Sequence, residues 1–299
     1  FQTNYQNYYY PFVLILYRII IVKIKLSQKE EKMSAKLIFS DIDGTLITSQ
    51  GIVSSTTIEA IRKQIIAGNL FIPVSARFPK GIMNVVDKIT NFCPIIAYNG
   101  ALVLDEMGRP LNSQFFEASL ALKLIKEIEA LDTNDLAWNV YSGYNWFSSL
   151  NKNPLIAKEE ETIGVKSLPV STEQIKELKG IHKMLIIGKP TLIDKIIPSL
   201  ESKFPSLVFV KSASHLLEVV LKGVNKGNAV KIVLDSFAMD KSNAWAFGDN
   251  YNDESMFNSV GHPILMGNAP KDLKESLSIP ITLDNDHDGI AAVLNKISN

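Results

Sequence analysis

Short apolar runs alternate with segments of helical length along most of this 299-residue chain. The apolar runs have the length of buried strands, and the segments between them begin and end at residues that favour helix termini. Strands that alternate with helices form parallel sheets, because right-handed crossovers place each helix against a sheet face. The sequence therefore predicts an α/β fold with a doubly wound, Rossmann-like parallel sheet. Its first predicted strands are residues 36–40, 70–75 and 94–98, with helices at 55–67 and 79–89 and a hairpin arm at 101–104.

The alternation changes character between residues 107 and 221 and then resumes. We therefore predict a core domain made of residues 33–106 and 222–299, interrupted by an α+β domain of residues 107–221. The elements predicted within the insertion are helices 120–131, 172–178 and 191–203 and strands 183–187, 207–211 and 216–221. Those predicted after it are helices 226–237, 253–258 and 270–277, strands 243–247 and 262–266, and a last strand and helix.

Residues 1–32 differ in composition from the rest of the chain. They begin with Phe1, continue through a stretch rich in Tyr, Asn and Gln, and reach an apolar run at residues 11–22 that Arg18 interrupts. A membrane-spanning helix needs about 20 apolar residues, so this run is too short to span a bilayer. We expect a leader that is disordered or does not belong to the native protein, which would then start at Met33. A membrane-associating leader is the alternative.

Composition narrows the possible classes of function. The chain contains 31 Lys and Arg against 31 Asp and Glu, and this neutrality gives no reason to expect nucleic-acid binding. Cys93 is the single cysteine, so no intrachain disulfide can form and a reducing, cytoplasmic location is expected. For residues 33–299 we expect no membrane partner, and we expect a monomer or a weak homodimer.

Two aspartates, Asp41 and Asp43, follow the first predicted strand directly, and Gly44 and Thr45 come after them. Carboxylates at the end of a buried strand are hard to accommodate without a cation or a proton that balances their charge. Mg²⁺ prefers hard oxygen ligands and commonly bridges carboxylates and phosphate oxygens. The segment therefore indicates a magnesium site that binds a phosphorylated substrate. A simple Asx turn is the structural alternative.

Three further polar segments lie at the ends of predicted strands or at the start of a helix. Residues 74–77 (VSAR) end the second strand, Lys226 begins a helix, and residues 248–253 (GDNYND) follow the strand at 243–247. Ligands of open parallel sheets bind at the carboxyl ends of the strands, so all four segments are expected to converge. Each alone has an ordinary explanation, such as a strand-end hydroxyl, a solvated lysine or a helix cap. Their combination favours a single site.

In this order the four segments resemble the four motifs of the haloacid dehalogenase (HAD) superfamily. The insertion between the second and third motifs is similar to that of the Cof-type phosphatases, which carry a large α+β cap of type IIB. The resemblance covers residues 33–299 and extends to residues 98–101, 266–269 and 288–290. Ala76 departs from the pattern, since many relatives have glycine at this position. The resemblance implies a HAD core with residues 107–221 as its cap, and Mg²⁺ as cofactor.

The resemblance also implies a role for the residues of each motif. Asp41 would be the nucleophile, Asp43 the general acid and base, and Lys226 the cation that neutralises Asp41 and the phosphoryl group. The implied metal ligands are Asp41, the Asp43 carbonyl and Asp249, with Asp253 orienting the water around the metal. The implied phosphate or substrate contacts are Ile42, Gly44, Ser75, Ala76, Arg77 and Asn252. A surface salt bridge is the alternative for Arg77.

The predicted function is a Mg²⁺-dependent phosphatase that hydrolyses small phosphorylated metabolites through an aspartyl-phosphate intermediate. Sugar phosphates and cofactor phosphates are the expected substrates. A hexose-phosphate phosphomutase is the alternative, because it uses similar motifs. A non-catalytic sugar-phosphate-binding module is a third hypothesis, which loss of one of the charged motif residues would have favoured. Four aromatic residues of a predicted cap hairpin could either pack internally or face the substrate: Trp138, Tyr141, Tyr144 and Trp146.

Overall fold

The computed structural model describes residues 35–131, 133–150 and 153–297. The predicted leader, residues 1–32, lies outside this part of the chain. Within the described residues, thirteen strands form two sheets. In chain order they are β1 (Leu37–Asp41), β2 (Leu70–Val74), β3 (Ile95–Ala97), β4 (Leu102–Leu104), β5 (Pro110–Ser113), β6 (Leu136–Ser142), β7 (Asn145–Ser149), β8 (Leu168–Val170), β9 (Lys183–Gly188), β10 (Leu207–Ala213), β11 (Leu216–Leu221), β12 (Ala244–Gly248) and β13 (His262–Leu265).

Ten α-helices of the described segments accompany the sheets, and polar caps define several of their starts. Ser54 accepts a hydrogen bond from the Thr57 N–H before the first helix, and Asn225 accepts one from the Asn228 N–H before the seventh. None of these helices has the length and apolar character that crossing a bilayer requires. In chain order they are α1 (Ser55–Ile66), α2 (Pro79–Val86), α3 (Ala118–Glu129), α4 (Pro154–Ile163), α5 (Thr172–Lys176), α6 (Pro190–Lys203), α7 (Lys226–Ser236), α8 (Glu254–Phe257), α9 (Lys271–Ser276) and α10 (Gly289–Leu294).

The first sheet contains seven strands in the order β13-β12-β1-β2-β3-β4-β5. The strands from β13 to β3 run parallel, whereas β4 and β5 extend the sheet as antiparallel strands. Every residue of β1 and β2 is buried, as expected for parallel strands covered on both faces. The predicted doubly wound parallel sheet is therefore confirmed, and β1 is the middle one of its five parallel strands.

Strand β5 shows that the first sheet continues beyond the predicted domain boundary at residue 107. It pairs with β4, so Pro110–Ser113 belong to the core sheet and not to the insertion. This edge strand is mostly exposed and polar, which explains why its sequence shows no buried-strand pattern. The remainder of the predicted division into domains stays a prediction.

Three smaller elements also differ from the sequence-based expectation. Helix α4 was not predicted, and it begins with Asn153 as N-cap and Pro154 at its first position. Strand β8 was not predicted, since it has only three residues, one of them Pro169. The expected last strand is reduced to a single bridge between Leu265 and Ile281.

The second sheet has the strand order β10-β11-β9-β6-β7-β8, and its pairs are antiparallel except β7 with β8. Its side chains alternate between the two faces. Val140 and Met184 belong to an apolar cluster that includes residues of α3 and α6. Their neighbours Tyr141, Lys183 and Glu218 lie on the opposite face and line a cavity shared with the first sheet. The fold thus places polar groups of the second sheet opposite the carboxyl edge of the first.

Candidate active site

The structure brings the four sequence segments together at the carboxyl edge of the first sheet. β1 lies between β2 and β12 and runs parallel to both. Asp41 ends β1, Ser75 follows β2, and Asp249 follows β12. Lys226 reaches the same place from the first residue of α7. Three strand ends and one helix start therefore supply the polar groups of a single site.

A buried ammonium group connects two of the carboxylates. Lys226 Nζ lies 2.5 Å from Asp41 Oδ1 and 2.6 Å from Asp253 Oδ1. Only 1% of Lys226 is exposed. Burial alone would lower the pKa of Lys226, but the carboxylates of Asp253 and Asp41 outweigh burial and raise it. Lys226 is therefore charged, and its charge is directed at the candidate nucleophile.

One ammonium group does not balance this cluster. Burial raises the pKa of Asp41 well above its ordinary value, since Lys226 offsets only part of the burial and of the repulsion from Asp253 and Asp249. Burial also raises the pKa of Asp249 to about 6. These three aspartates each offer an oxygen within 4.8 Å of the others. Three carboxylates and one ammonium leave a deficit of two positive charges, which matches one divalent cation.

Asp253 differs from the other two carboxylates because both of its oxygens already accept hydrogen bonds. Oδ1 accepts from Lys226, and Oδ2 accepts from the backbone N–H groups of Asp249 at 2.9 Å and Asn250 at 3.0 Å. Asp41 and Asp249 therefore have the freer oxygens for a metal. Asp253 instead fixes the loop that carries Asp249.

The turn after β1 is shaped around Asp249. Gly44 has a φ of +82°, and a Cβ at this position would lie 2.4 Å from Asp249 Oδ2. The Thr45 hydroxyl donates a hydrogen bond of 2.6 Å to Asp249 Oδ1, and the Asn268 amide donates one of 2.8 Å to the Gly44 carbonyl. Glycine is needed here both for the left-handed backbone and for the close approach of the carboxylate.

Asp43 is paired with Arg77 across the mouth of the site. The guanidinium donates from Nε at 2.9 Å to Asp43 Oδ2 and from the terminal nitrogen at 2.6 Å to Oδ1. This bidentate arrangement fixes the orientation of both side chains. The salt-bridge alternative for Arg77 is therefore the one observed, although its partner is the predicted acid/base residue and both residues line the cavity.

The loop after β2 presents a hydroxyl to the cavity. Ser75 is buried, and its Oγ accepts a hydrogen bond of 3.1 Å from the Arg77 N–H. Its own O–H therefore remains available as a donor. The carbonyl of Ala76 accepts a hydrogen bond of 2.8 Å from Lys183 Nζ, which belongs to the second sheet. This loop thus connects the two halves of the site.

The other predicted contacts fall into two groups. The Ile42 side chain is fully buried in the apolar core, so this residue can reach a substrate only through its backbone. The same holds for Gly44, which has no side chain. Asn252 lies at the cavity, and its amide donates a hydrogen bond of 3.4 Å to Asn99 Oδ1. The structure therefore does not bring the Ile42 side chain to the site.

A cavity of about 510 Å³ lies between the two sheets with Asp41 at its floor. Its opposite wall includes Tyr141, Lys183 and Glu218 of the second sheet and Glu159 of α4. Sequence analysis selected none of the charged residues of this wall. The available signal was a lysine and a glutamate within otherwise apolar strands, a pattern that marks paired or functional charges.

Comparison with known proteins decides the family. Residues 38–294 match the haloacid dehalogenase-like hydrolase family. The chain belongs to this family. A Haemophilus influenzae protein named "Putative phosphatase" is 33% identical over 267 residues, which are 88% of this chain and 98% of that protein. A Bacillus subtilis protein named 5-amino-6-(5-phospho-D-ribitylamino)uracil phosphatase YwtE is 24% identical, with the same coverage of both chains.

Solved structures share the fold of this chain. TM0651 from Thermotoga maritima is 28% identical and has a TM-score of 0.80 over 89% of this chain and 98% of its own. The HAD subclass IIB sugar phosphatase BT4131 is 21% identical and has a TM-score of 0.71 over 87% of this chain and 98% of its own. The predicted HAD fold with a type IIB cap is therefore confirmed, as is the prediction of a hydrolytic enzyme. The second sheet and its helices are called the cap below.

Proposed function

We propose that this hydrolase is a Mg²⁺-dependent phosphatase that cleaves small phosphorylated metabolites through an aspartyl-phosphate intermediate. The observation that carries the proposal is the Asp41 carboxylate, which lies at the floor of the cavity 2.5 Å from Lys226 Nζ. A carboxylate fixed beside an ammonium group suits attack on a phosphoryl group, because the same ammonium neutralises the transferred charge. The relatives named as phosphatases support this assignment.

The reaction proceeds by two displacements at phosphorus. Asp41 attacks the phosphorus, and the bond between phosphorus and the alcohol oxygen breaks. Asp43 begins the cycle protonated, gives this proton to the departing alcohol and then regains a proton from a water molecule. This water attacks the phosphorus of the aspartyl phosphate, which restores Asp41 and releases inorganic phosphate. Throughout, the Ser75 hydroxyl and the Lys226 ammonium hold the phosphoryl oxygens.

Arg77 acts in this scheme as a positioning residue for Asp43. Its guanidinium holds both oxygens of the Asp43 carboxylate, and its backbone N–H is bonded to Ser75 Oγ. The acid/base group and the phosphate contact are thus oriented by the same residue. Proton transfer uses one of these two oxygens, so the bidentate pair opens at one oxygen during the cycle.

The acidic cluster fits a Mg²⁺ ion as cofactor. The side chains of Asp41 and Asp249 and the backbone carbonyl of Asp43 would hold it, while Asp253 fixes the Asp249 loop. When bound, the ion supplies the two missing positive charges and favours the ionised form of Asp41 that the attack requires. All of these donors are oxygen atoms, which is the ligand type that Mg²⁺ prefers.

The size of the cavity favours small substrates. Its volume of about 510 Å³ lies within the range of small-molecule sites, and the cap covers it on the side opposite Asp41. Sugar phosphates and cofactor phosphates are therefore the proposed substrate classes. The names of two relatives, a ribitylaminouracil phosphatase and a sugar phosphatase, agree with this choice.

The proposal predicts that the purified protein with Mg²⁺ hydrolyses p-nitrophenyl phosphate and that Asp41→Asn lowers kcat by at least about 1,000-fold. Asp235→Asn is the matched control, since Asp235 is exposed near the end of α7. An unchanged kcat in Asp41→Asn would remove Asp41 as the nucleophile. Phosphorus NMR with glucose 1-phosphate distinguishes free phosphate from glucose 6-phosphate, the product expected of a phosphomutase.

A further inference from the structure

Two segments near the carboxyl end of the described chain lie beside the turn that follows β1. Residues 266–269 come directly after β13, and residues 284–288 directly precede α10. Gly267 permits their close approach, because a Cβ there would lie 2.8 Å from the backbone nitrogen of Asp284. The Gly267 N–H also donates a hydrogen bond of 3.1 Å to the Leu283 carbonyl. The two segments therefore pack against each other, and neither takes part in the reaction proposed above.

The side-chain amide of Asn268 connects both segments to the turn. Its Nδ2 donates a hydrogen bond of 2.8 Å to the Gly44 carbonyl, and its Oδ1 accepts one of 3.3 Å from the Asn285 N–H. Only one orientation of the amide satisfies both bonds, because one of its ends must donate and the other must accept. The backbone of Asn285 therefore keeps the donor of Asn268 directed at Gly44.

Side chains of residues 284–288 hold the part of the chain that follows this turn. The Asn285 amide donates a hydrogen bond of 2.8 Å to the Ile47 carbonyl, and the Asp286 carboxylate accepts one of 2.8 Å from the Ser49 N–H. These contacts join residues that are 238 and 237 positions apart in the sequence. The support for Asn268 is therefore itself fixed to the chain on the far side of the turn.

The backbone of Gly44 gives this contact its importance. The close approach of Asp249 requires glycine here, but a residue without a Cβ adopts positive and negative φ about equally well. The peptide group between Gly44 and Thr45 can therefore rotate against little steric resistance. Such a rotation would move Thr45, whose hydroxyl donates a hydrogen bond of 2.6 Å to Asp249 Oδ1. The bond from Asn268 to the carbonyl of this same peptide group opposes the rotation.

We propose that Asn268 is a positioning residue for the candidate metal site. By fixing the Gly44 carbonyl it orients Thr45, and the Thr45 hydroxyl in turn orients the Asp249 carboxylate. This inference rests on the proposed Mg²⁺-dependent phosphatase function. Asn268 does not line the cavity, so it acts without touching the substrate. Its loss should therefore weaken Mg²⁺ binding and lower kcat, with little effect on KM.

The experiment measures Mg²⁺ affinity in the absence of substrate, from the rise of Tm with Mg²⁺ concentration. Thr45→Val removes the hydroxyl that contacts Asp249 and should weaken Mg²⁺ binding by about 10-fold, a typical effect of losing a partner of a metal ligand. Asn268→Ala acts one contact farther from the metal and should weaken it by about 5-fold. Because both changes act through the same hydroxyl, the double variant should lose about 10-fold and not the product of about 50-fold.

Hydrolysis of p-nitrophenyl phosphate at saturating Mg²⁺ supplies the second readout. In Asn268→Ala, kcat should fall by at least about 3-fold while KM changes by less than about 2-fold. Asn268 is exposed, so its replacement leaves no cavity in the core and the variant should fold. Asn153→Ala is the matched control, because the Asn153 amide likewise donates to backbone carbonyls, those of Asn134 and Leu136, and does not line the cavity that contains Asp41. It should leave Mg²⁺ affinity, kcat and KM unchanged.

Two results would overturn the inference while leaving the phosphatase function intact. One is an unchanged Mg²⁺ affinity in Asn268→Ala, and the other is a double variant that shows the full product of the two single losses. If the unmodified protein neither gains stability from Mg²⁺ nor hydrolyses p-nitrophenyl phosphate, the proposed function is overturned and this inference with it.

Discussion

Replacing Gly44 by alanine tests whether the position of Asp249 controls the candidate metal site. A Cβ at Gly44 would lie 2.4 Å from Asp249 Oδ2, whereas ordinary contacts begin at 3.4 Å. The difference, 3.4 − 2.4 Å, means that the carboxylate must move by about 1 Å. A displacement of this size at a reacting centre lowers activity by about 100-fold. We therefore expect Gly44→Ala to lose about 100-fold in kcat/KM and to require more Mg²⁺.

Gly51→Ala is a control that carries the same backbone strain without the contact. Gly51 has a φ of +75°, close to the +82° of Gly44, but a Cβ there would meet nothing within 4 Å. Alanine in the left-handed region costs about 1 kcal/mol at either position, so both variants should lose similar stability from strain. Only Gly44→Ala should lose activity beyond what the loss of stability explains.

The assay combines a Mg²⁺ titration of p-nitrophenyl phosphate hydrolysis with urea unfolding of both variants. Activity is compared at a temperature at which both proteins remain folded. If Gly44→Ala keeps the kcat/KM and the Mg²⁺ dependence of Gly51→Ala, the close packing of Asp249 against the turn has no catalytic importance. That result would refute the reasoning from the geometry of this turn.

Two further predictions concern the junction between the core and the cap. Burial lowers the pKa of His182 from 6.5 to about 4, and Nδ1 accepts a hydrogen bond from the Gly143 N–H. His182 therefore binds a proton below about pH 6.5 in the unfolded chain but only below about pH 4 in the folded chain. The free energy of unfolding consequently decreases as the pH drops from 6.5 to 4, by up to about 3 kcal/mol. In urea unfolding, the free energy of unfolding of His182→Gln should decrease less between pH 7 and 4.5 than that of the unmodified protein. An equal decrease in both proteins would contradict the prediction. Lys183→Met leaves Glu218 buried without its partner and should cost about 3–5 kcal/mol, whereas Lys183→Met with Glu218→Leu should cost less. If the loss of stability in the double variant equals the sum of the losses in the two single variants, Lys183 and Glu218 do not stabilise each other.

The parts of the site that could be predicted from the sequence are those in which a functional residue directly follows a recognisable strand. Asp41 directly ends a run of apolar residues, and Asp249 follows another, so the strand ends and their carboxylates could be located together. The parallel sheet then determines that these ends meet. No contact between distant segments had to be known in advance.

The remaining contacts depend on tertiary structure. Arg77 and Asp43 are separated by 34 residues, and nothing in either segment specifies that they pair. Lys183 and Glu218 could not be assigned to the cavity from the sequence, because the sequence does not specify which face of β9 and β11 is directed toward the core and which toward solvent. Strand β5 was missed because an exposed edge strand has no hydrophobic alternation.

The stereochemical course at phosphorus is the most direct test of the claim that Asp41 carries the phosphoryl group. The substrate is a phosphorothioate monoester whose phosphorus is chiral through two oxygen isotopes, and it is hydrolysed with Mg²⁺ in water that carries the third isotope. Two in-line displacements, first by Asp41 and then by water, predict overall retention of configuration in the released thiophosphate. Inversion would mean that water attacks the substrate directly, and it would contradict the aspartyl-phosphate intermediate.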